Sequence, residues 1–214
     1  MRKFIQLLLL VAAVAPGVSQ AKYLRDIDYR VIPRQPVVTG SKVEVREFFW
    51  YGCPHCFHME PILENWLKTL PADAQFVRTP AIFNPAWAPA ARAFFTFQAL
   101  GITDRVHAAF FRAIHVKHED MNNVNNVVLF LKKYGISPEK ALDTYNSFSV
   151  DADVRRTRAM EVPYGIDSVP TFVVDGRYVT NPAIAGGERR CLRVVSYLIK
   201  MSAAHQHPTP PQQN

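Results

Sequence analysis

The chain has 214 residues, of which 49% are hydrophobic and 20% are charged. This length and composition fit one globular domain, or one domain with an insertion, and exclude a disordered or fibrous protein. The formal net charge is +7, but the basic residues form no run with interleaved aromatic residues, so nucleic-acid binding is not expected.

The first residues are typical of an export signal. A short basic start is followed by an apolar run from Phe4 to Ala15, and Ser19 and Ala21 form a small-x-small cleavage site. The run is shorter than the about 20 apolar residues of a membrane-spanning helix. We therefore expect residues 1–21 to be a signal peptide that is removed on export.

Alternating apolar segments predict the strands. They lie at residues 29–32, 43–50 and 75–79, and in a hairpin around Asp175-Gly176. In the second segment Glu47 shares a face with Val45 and Phe49, because side chains alternate along a strand. Glu47 is thus expected among apolar neighbours, unless this end of the strand reaches solvent.

Helical patterns fill most of the remaining chain. One helix follows Cys53 and contains Pro61, which is expected to kink it. Residues 85–164 form a block of helices, in which Thr103 and Ser137 are predicted N-caps. A last helix is predicted from Glu188 to Ala204. Strands at both ends with helices between them indicate a sheet domain that carries an inserted helical domain.

The segment Cys53-Pro54-His55-Cys56 carries the chemistry. It follows a predicted strand and opens a predicted helix, where free backbone N–H groups and the helix dipole favour a thiolate on Cys53. Pro54 pre-sets the first helical turn, and His55 adds a donor and, when protonated, a positive charge. Stabilising the reduced form in this way makes a disulfide a stronger oxidant.

The two sulfurs are expected to differ in access. Cys53 lies at the turn and should be reachable, whereas Cys56 lies one helical turn inward on the apolar face. Cys53 is therefore the predicted site of attack by a substrate thiolate, and Cys56 the predicted leaving sulfur.

Metal binding is the alternative for this segment. A structural zinc site needs four ligands, and the chain has only one Cys-x-x-Cys. His55 and His58 should project from different sides of the helix start, and His115 and His118 fit a solvated helix end better than a metal site. Cys191 lies on an apolar stripe and is expected to be a buried small residue rather than an accessory thiol or a dimer link.

Three segments together carry a resemblance to a known family. The segments FFWYGCPHC, MEPILE and SVPTFVVDGRY resemble the DsbA-type thiol:disulfide oxidoreductases of the thioredoxin superfamily, over nearly the whole mature chain. The resemblance implies an α/β, thioredoxin-like fold with an inserted α-helical domain. The implied division is a signal peptide at 1–21, a discontinuous thioredoxin-like domain at 22–83 and 158–204, a helical domain at 84–157 and a mobile tail at 205–214.

The resemblance also implies roles for individual residues. Cys53 matches the nucleophilic cysteine and Cys56 its buried partner. Val169-Pro170 matches a cis peptide bond beside the disulfide, whose exposed backbone pairs with an extended substrate segment. Glu47 matches a buried acid that accepts the proton of Cys56 when the disulfide re-forms, and burial would raise its pKa for that task.

Two positions depart from the family pattern. Arg78 stands on the adjacent strand where the family often has a lysine, and an arginine cannot pass protons on. Its pairing with Glu47 would keep that acid charged, which weakens the proposed proton role. Gly52 stands before the first cysteine, where an aromatic residue is common, and would widen access or loosen the turn.

These observations predict a monomeric, periplasmic dithiol oxidase without a metal or other cofactor beyond its own disulfide. Its substrates would be unfolded exported proteins with free cysteines, and the resemblance implies re-oxidation by a DsbB-type membrane oxidase. A disulfide isomerase or reductase that uses the same thiols is the first alternative, although the about 30 mature residues before Cys53 are too few for a dimerisation domain. A metal-binding or client-holding module is the alternative of a different class.

Overall fold

The computed structural model describes residues 23–206. The predicted signal peptide and the tail from residue 207 onward lie outside the described residues. The strands are β1 (Arg30–Val31), β2 (Val43–Phe49), β3 (Ala74–Pro80), β4 (Thr171–Val174) and β5 (Tyr178–Thr180). The helices are α1 (Pro54–Leu67), α2 (Ala88–Ala99), α3 (Thr103–His115), α4 (Val124–Lys132), α5 (Pro138–Tyr145), α6 (Phe148–Met160), α7 (Pro182–Ala185) and α8 (Glu188–Gln206), with a 3-10 turn at Pro85–Trp87.

Within these residues the five strands form one sheet in the order β1-β5-β4-β2-β3. Strand β2 pairs in parallel with β3 and antiparallel with β4. All seven residues of β2 are buried, because both faces of the sheet are covered at this position. The chain leaves this strand at its carboxyl end, where the Cys-x-x-Cys segment follows.

Helix starts agree with the sequence in part. Ser137 caps α5 as predicted, since its hydroxyl accepts a hydrogen bond from the N–H of Lys140. The prediction for Thr103 is wrong, because Thr103 is the first residue of α3 and Ile102 holds the cap position without a side-chain bond. Helix α1 runs through Pro61 as a single helix.

The predicted hairpin joins β4 and β5. Asp175 and Gly176 have φ angles of 52° and 65°, the left-handed region that Asp-Gly turns favour. The connection contains three residues rather than two, because Val174 pairs with Tyr178. Helix α8 also continues two residues beyond the predicted end at Ala204.

Three groups of buried side chains hold the molecule together. Helices α1 and α8 cover one face of the sheet, and Phe48, Tyr164 and Ile166 pack on the other. The largest group lies in the helical region, a term used here for α2–α6 (residues 88–160), and it extends to the end of β2 through Phe49 and to the following turn through Tyr51. None of the helices within residues 23–206 combines the length and apolar content needed to cross a membrane.

Candidate active site

The Cys-x-x-Cys segment begins at the helix terminus that the sequence predicts. Cys53 is the N-cap residue of α1, and Pro54 is the first helical residue. The turn before it is closed by a hydrogen bond of 3.0 Å from the Cys53 N–H to the carbonyl oxygen of Trp50. Cys56 follows in the first turn of the helix, so the two thiols lie one turn apart.

The pKa of the Cys53 thiol is lowered to about 6. The main cause is a hydrogen bond from the Cys56 thiol, followed by the backbone N–H groups of Cys56 and His55 and by the positive charge of His55. Burial acts in the opposite direction but does not outweigh these donors. The thiolate is thus stabilised chiefly by the Cys56 thiol, and the backbone of the helix start and His55, which the sequence predicts, contribute less.

Cys56 shows the opposite behaviour. Burial raises its pKa well above the ordinary value for a thiol, and the Cys53 thiol and the charge of Glu47 raise it further. Cys53, Cys56 and Cys191 are all free thiols in this structure. Near neutral pH the reduced pair therefore holds one thiolate and one thiol, and the thiolate belongs to Cys53.

The predicted difference in access is smaller than expected. Cys53 is only 7% exposed and Cys56 is 1% exposed, so the prediction of an open, reachable Cys53 is wrong in degree. The reason is that Cys53 lies against the segment before β4, where its Sγ is 3.5 Å from the carbonyl oxygen of Val169. The exposed members of the segment are Pro54 and His55.

The Val169-Pro170 peptide bond is cis, as the resemblance implies. Pro170 is buried and Val169 is partly buried, and the Val169 carbonyl faces the Cys53 sulfur. The backbone of this segment is thereby brought beside the more exposed of the two thiols.

Glu47 lies beneath the site and is 1% exposed. Burial raises the pKa of Glu47 to about 8, and the charge of Glu60 adds to this effect. Glu47 is buried with the rest of β2, so this end of the strand does not reach solvent. A carboxyl group in this environment holds its proton near neutral pH.

Arg78 is directly opposite Glu47 in the sheet, as expected. Its Nε is 3.6 Å from Glu47 Oε2, and neither atom has a hydrogen-bond partner. The Nη2 of Arg78 instead donates to Glu60 and, over 2.7 Å, to Glu64. The expected pairing is present, and the charge of Arg78 lowers the pKa of Glu47, but burial outweighs this effect because other carboxylates take the hydrogen bonds of the Nη2 group.

Gly52 does not open the turn. A Cβ at this position would lie 2.3 Å from Cζ2 of Trp50, so the indole ring occupies the space that a side chain at position 52 would need. The Trp50 ring is also stacked on Trp87, with centroids 4.0 Å apart and an interplanar angle of 3°. In this chain the aromatic group beside the cysteines comes from position 50.

Sequence analysis missed Glu60 of α1 and His107 of α3, and it did not predict the contacts that Tyr51 and His115 make beside the site. Glu60 lies four residues after Cys56, a spacing that places both on one side of a helix and was available as a signal. Tyr51 and His107 share a hydrogen bond of 2.7 Å, and His115 is 2.8 Å from the Tyr51 carbonyl oxygen. The pattern of α3 places His107 among apolar residues but does not indicate its partner.

The remaining candidates have structural explanations. Cys191 is fully buried in α8, and burial raises the pKa of its thiol. His115 is stacked on Phe57 at a centroid distance of 4.8 Å, so it is not the solvated helix end that the sequence suggests. Among residues 23–206, no three His, Cys, Asp or Glu side chains are grouped in a way that could hold a metal ion.

Comparison with known proteins agrees with this geometry. The model of the DSBA-like thioredoxin domain family matches residues 44–191. The thiol:disulfide interchange protein DsbA of Pseudomonas aeruginosa is 39% identical over 79% of this chain and 80% of its own length. The protein of the same name from Burkholderia cepacia is 36% identical over 94% of this chain and 97% of its own length.

Solved structures give the same result. The crystal structure of Pseudomonas aeruginosa DsbA has a TM-score of 0.81 and 37% identity, covering 86% of this chain and 96% of that one. The oxidoreductase DsbA of Xylella fastidiosa has a TM-score of 0.78 and 34% identity, covering 83% of this chain and 96% of that one.

A thioredoxin-like sheet with an unequal pair of thiols at a helix start, beside a cis-proline, defines a thiol:disulfide oxidoreductase. The predicted α/β fold with an inserted helical domain is confirmed. The chain belongs to the DSBA-like thioredoxin domain family.

Proposed function

We propose that this oxidoreductase is a dithiol oxidase that transfers its Cys53–Cys56 disulfide to exported proteins. The observation that carries the proposal is the opposite pKa shift of two thiols on one helical turn. A thiolate that is stable in the reduced form is a good leaving group, and it makes the disulfide easy to reduce. Both properties favour donation of a disulfide over its reduction in a substrate.

The proposed reaction has two exchange steps. A substrate thiolate attacks Sγ of Cys53, the Cys53–Cys56 bond breaks, and Cys56 leaves and takes up a proton. A second substrate thiolate then attacks the substrate sulfur of the mixed disulfide, and Cys53 leaves as a thiolate. The substrate loses two electrons and gains a disulfide, and the enzyme gains both electrons.

Other residues of the site have supporting roles in this proposal. His55 and Pro54 stabilise the Cys53 thiolate from the exposed side of the helix start. The backbone at Val169 and cis-Pro170 pairs with an extended substrate segment, which the position of the Val169 carbonyl 3.5 Å from Cys53 supports. Glu47 accepts the proton of Cys56 when the disulfide re-forms, a task that suits an acid with a pKa of about 8.

The location and the partners belong to the same proposal. Export through residues 1–21 would deliver the protein to the periplasm, where disulfides persist. Its substrates would be folding proteins with free cysteines, and a DsbB-type membrane oxidase would restore the disulfide. We further propose that the protein acts as a monomer, with the domain division at residues 84 and 157.

The experiment is oxidation of a reduced peptide that contains two cysteines. Cys53→Ser is expected to abolish oxidation, and Cys56→Ser is expected to accumulate a mixed disulfide at position 53. Cys191→Ala is the matched control, because it removes a buried thiol outside the site and should leave the rate unchanged. Full activity of Cys53→Ser would show that the roles are assigned wrongly.

A metal-binding module is tested on the same variants. Zinc content of the purified protein should be negligible in wild type and in Cys56→Ser. Stoichiometric zinc that disappears in Cys56→Ser would favour the metal-binding alternative.

A further inference from the structure

A chain of buried polar groups leads from the helical region to the acid beneath the thiols. Tyr51 Oη lies 2.7 Å from His107 Nδ1, and His107 Nε2 lies 3.4 Å from Glu60 Oε2. Glu60 is paired with Arg78, whose Nε lies 3.6 Å from Glu47 Oε2. Four of these residues are at most 6% exposed, and the Arg78 side chain is 13% exposed. The groups are therefore shielded from water and depend on one another.

The hydrogen-bond chain favours one tautomer of His107. Tyr51 keeps its phenolic proton, since burial raises its pKa. If Tyr51 donates to Nδ1, Nε2 carries a hydrogen that faces the Glu60 carboxylate. The other tautomer would place the Nε2 lone pair against a buried carboxylate, which is unfavourable where no water is present. The network therefore places the imidazole hydrogen on Nε2.

His107 acts as a neutral donor rather than as a cation. The charged groups that face it are Glu60 and Glu64 from α1 and Arg78 from β3. The Tyr51 hydroxyl faces it from the turn, and α2 contributes only the uncharged ring of Phe94. Burial and the positive charge of Arg78 lower the pKa of His107. Its Nε2 faces Glu60 Oε2 at 3.4 Å and has no other polar partner among the described residues, so this contact does not change the number of charges in the network.

Two buried carboxyl groups compete for one guanidinium group. Burial alone would raise the pKa of Glu60, but the hydrogen bond from His107 and the charge of Arg78 lower it. Glu47 faces Arg78 only across 3.6 Å, and its Oε2 is without a hydrogen-bond partner, so the charge of Arg78 lowers the pKa of Glu47 less than burial raises it. The anion is thus favoured at Glu60 and the proton at Glu47. The charge that Glu47 carries once it has lost this proton raises the pKa of Cys56.

We propose that His107 is a positioning residue for thiol–disulfide exchange, which keeps Glu60 ionised and so leaves the exchangeable proton on Glu47. This inference rests on the proton role of Glu47 in the proposed function. Because His107 belongs to α3, the helical region then influences proton transfer at the thiols through this side chain. Glu47 rather than Glu60 then exchanges a proton with Cys56. It supplies the proton when Cys56 leaves as a thiolate, and its ionised form accepts the proton when the disulfide re-forms.

Two variants of similar size separate the hydrogen bond from simple packing. His107→Asn keeps an acceptor near the Tyr51 hydroxyl but is too short to reach Glu60. His107→Gln can place an amide N–H where Nε2 lies and so keeps the donor to Glu60. The readout is the titration of the Glu60 carboxyl carbon by NMR in the reduced protein, assigned with Glu60→Gln. Because the two carboxyl groups titrate as a coupled pair, each measurement is repeated in the Glu47→Gln background.

The expected result is a rise in the Glu60 midpoint of about one pH unit in His107→Asn, the size expected for one hydrogen bond to a charged group. His107→Gln and Thr96→Val should stay close to wild type, since Thr96 is buried in α2 and bonds only to the Arg92 carbonyl. An unchanged midpoint in His107→Asn, or an equal rise in both His107 variants, would overturn the proposal.

A measurement on the unmodified protein gives a second test. The ¹⁵N chemical shifts of His107 should show the neutral tautomer with hydrogen on Nε2, and hydrogen on Nδ1 would overturn the proposal even if a variant does not fold. Failure of the proposed function is seen separately, as absence of peptide oxidation by the wild-type protein. The Glu60 titration does not depend on that activity.

Discussion

Cys53 and Cys56 belong to the same helical turn, yet their thiols are shifted in opposite directions. Cys53 is the N-cap residue, where its sulfur accepts hydrogen bonds from the Cys56 thiol and from two backbone N–H groups. Cys56 is further inside the helix, and burial removes the water that would stabilise its charge. A displacement of one turn along a helix is thus enough to give two identical side chains different chemistry.

The first prediction concerns the stability of the reduced protein. The folded-state pKa of Cys53 is lowered to about 6, whereas an unfolded thiol titrates near about 8.5. Stability should therefore rise with pH between these values and be lost as pH falls through about 6. Denaturant midpoints of the reduced protein should show this rise, and Cys53→Ser should lack it. An equal rise in Cys53→Ser would contradict the assignment.

Glu47 should make the stability of the protein depend on pH in the opposite direction. Its folded-state pKa is raised from 4.5 to about 8, so the folded protein holds a proton that the unfolded chain releases. Stability should fall as pH rises from about 4.5 to about 8, with a limiting slope of about 1.4 kcal/mol per pH unit. Glu47→Gln, which stays neutral, should lose this slope. Parallel pH profiles for the two proteins would show that Glu47 is ionised throughout.

At the scale of elements, the turn between β2 and α1 depends on the close approach of Trp50 to Gly52. Gly52→Ala places a Cβ 2.3 Å from the indole ring, so the ring must move away from Trp87. We expect a loss of stability of about 1–3 kcal/mol, as for overpacking elsewhere. Near-ultraviolet circular dichroism should report the loss of the stacked pair.

The control for this prediction is a double-mutant cycle. With Trp50→Ala the clash is removed, so Gly52→Ala should cost much less in that background. An additive result would mean that the cost comes from the backbone and not from the indole ring.

Most elements were predictable because their signals are local. The strand pattern, the Ser137 cap, the Asp-Gly turn and the helix after Cys53 each depend on residues close in sequence. The Tyr51–His107 hydrogen bond joins residues 56 positions apart, and its formation depends on how α3 packs against the turn. Similarly, the family resemblance indicated Arg78 on the strand beside Glu47, but the preference of Arg78 for Glu60 depends on the position of α1.

The small exposure of Cys53 was also not predictable, because it depends on a contact between residues far apart in the sequence. Sequence placed it correctly at a helix start, but its burial depends on the segment at Val169, which is 116 residues away. Long-range contacts thus decide the access and the ionisation of groups whose local structure the sequence already indicates.

At the scale of the whole molecule, the thiols share one group of buried side chains with the helical region. Phe110 of α3 is fully buried in this group, and its ring centroid lies 4.6 Å from that of Tyr51. A substitution that disrupts packing in the helical region should therefore also alter the packing around the two thiols.

Phe110→Ala tests this connection. We expect a loss of stability of about 3–5 kcal/mol from the cavity, with the same unfolding midpoint for probes in the helical region and in the sheet. Leu129→Ala is the control, since Leu129 is 58% exposed in α4 and should change stability by less than about 0.5 kcal/mol. Two separate midpoints in Phe110→Ala would show that the helical region unfolds independently of the site.

The redox equilibrium of the Cys53–Cys56 pair with glutathione tests the central claim most directly. Because the Cys53 thiolate is stabilised in the reduced protein, the disulfide should be reduced readily, at ratios of reduced to oxidised glutathione far below those that reduce a cytosolic reductase. A disulfide as stable as that of a cytosolic reductase would contradict the assignment as an oxidase.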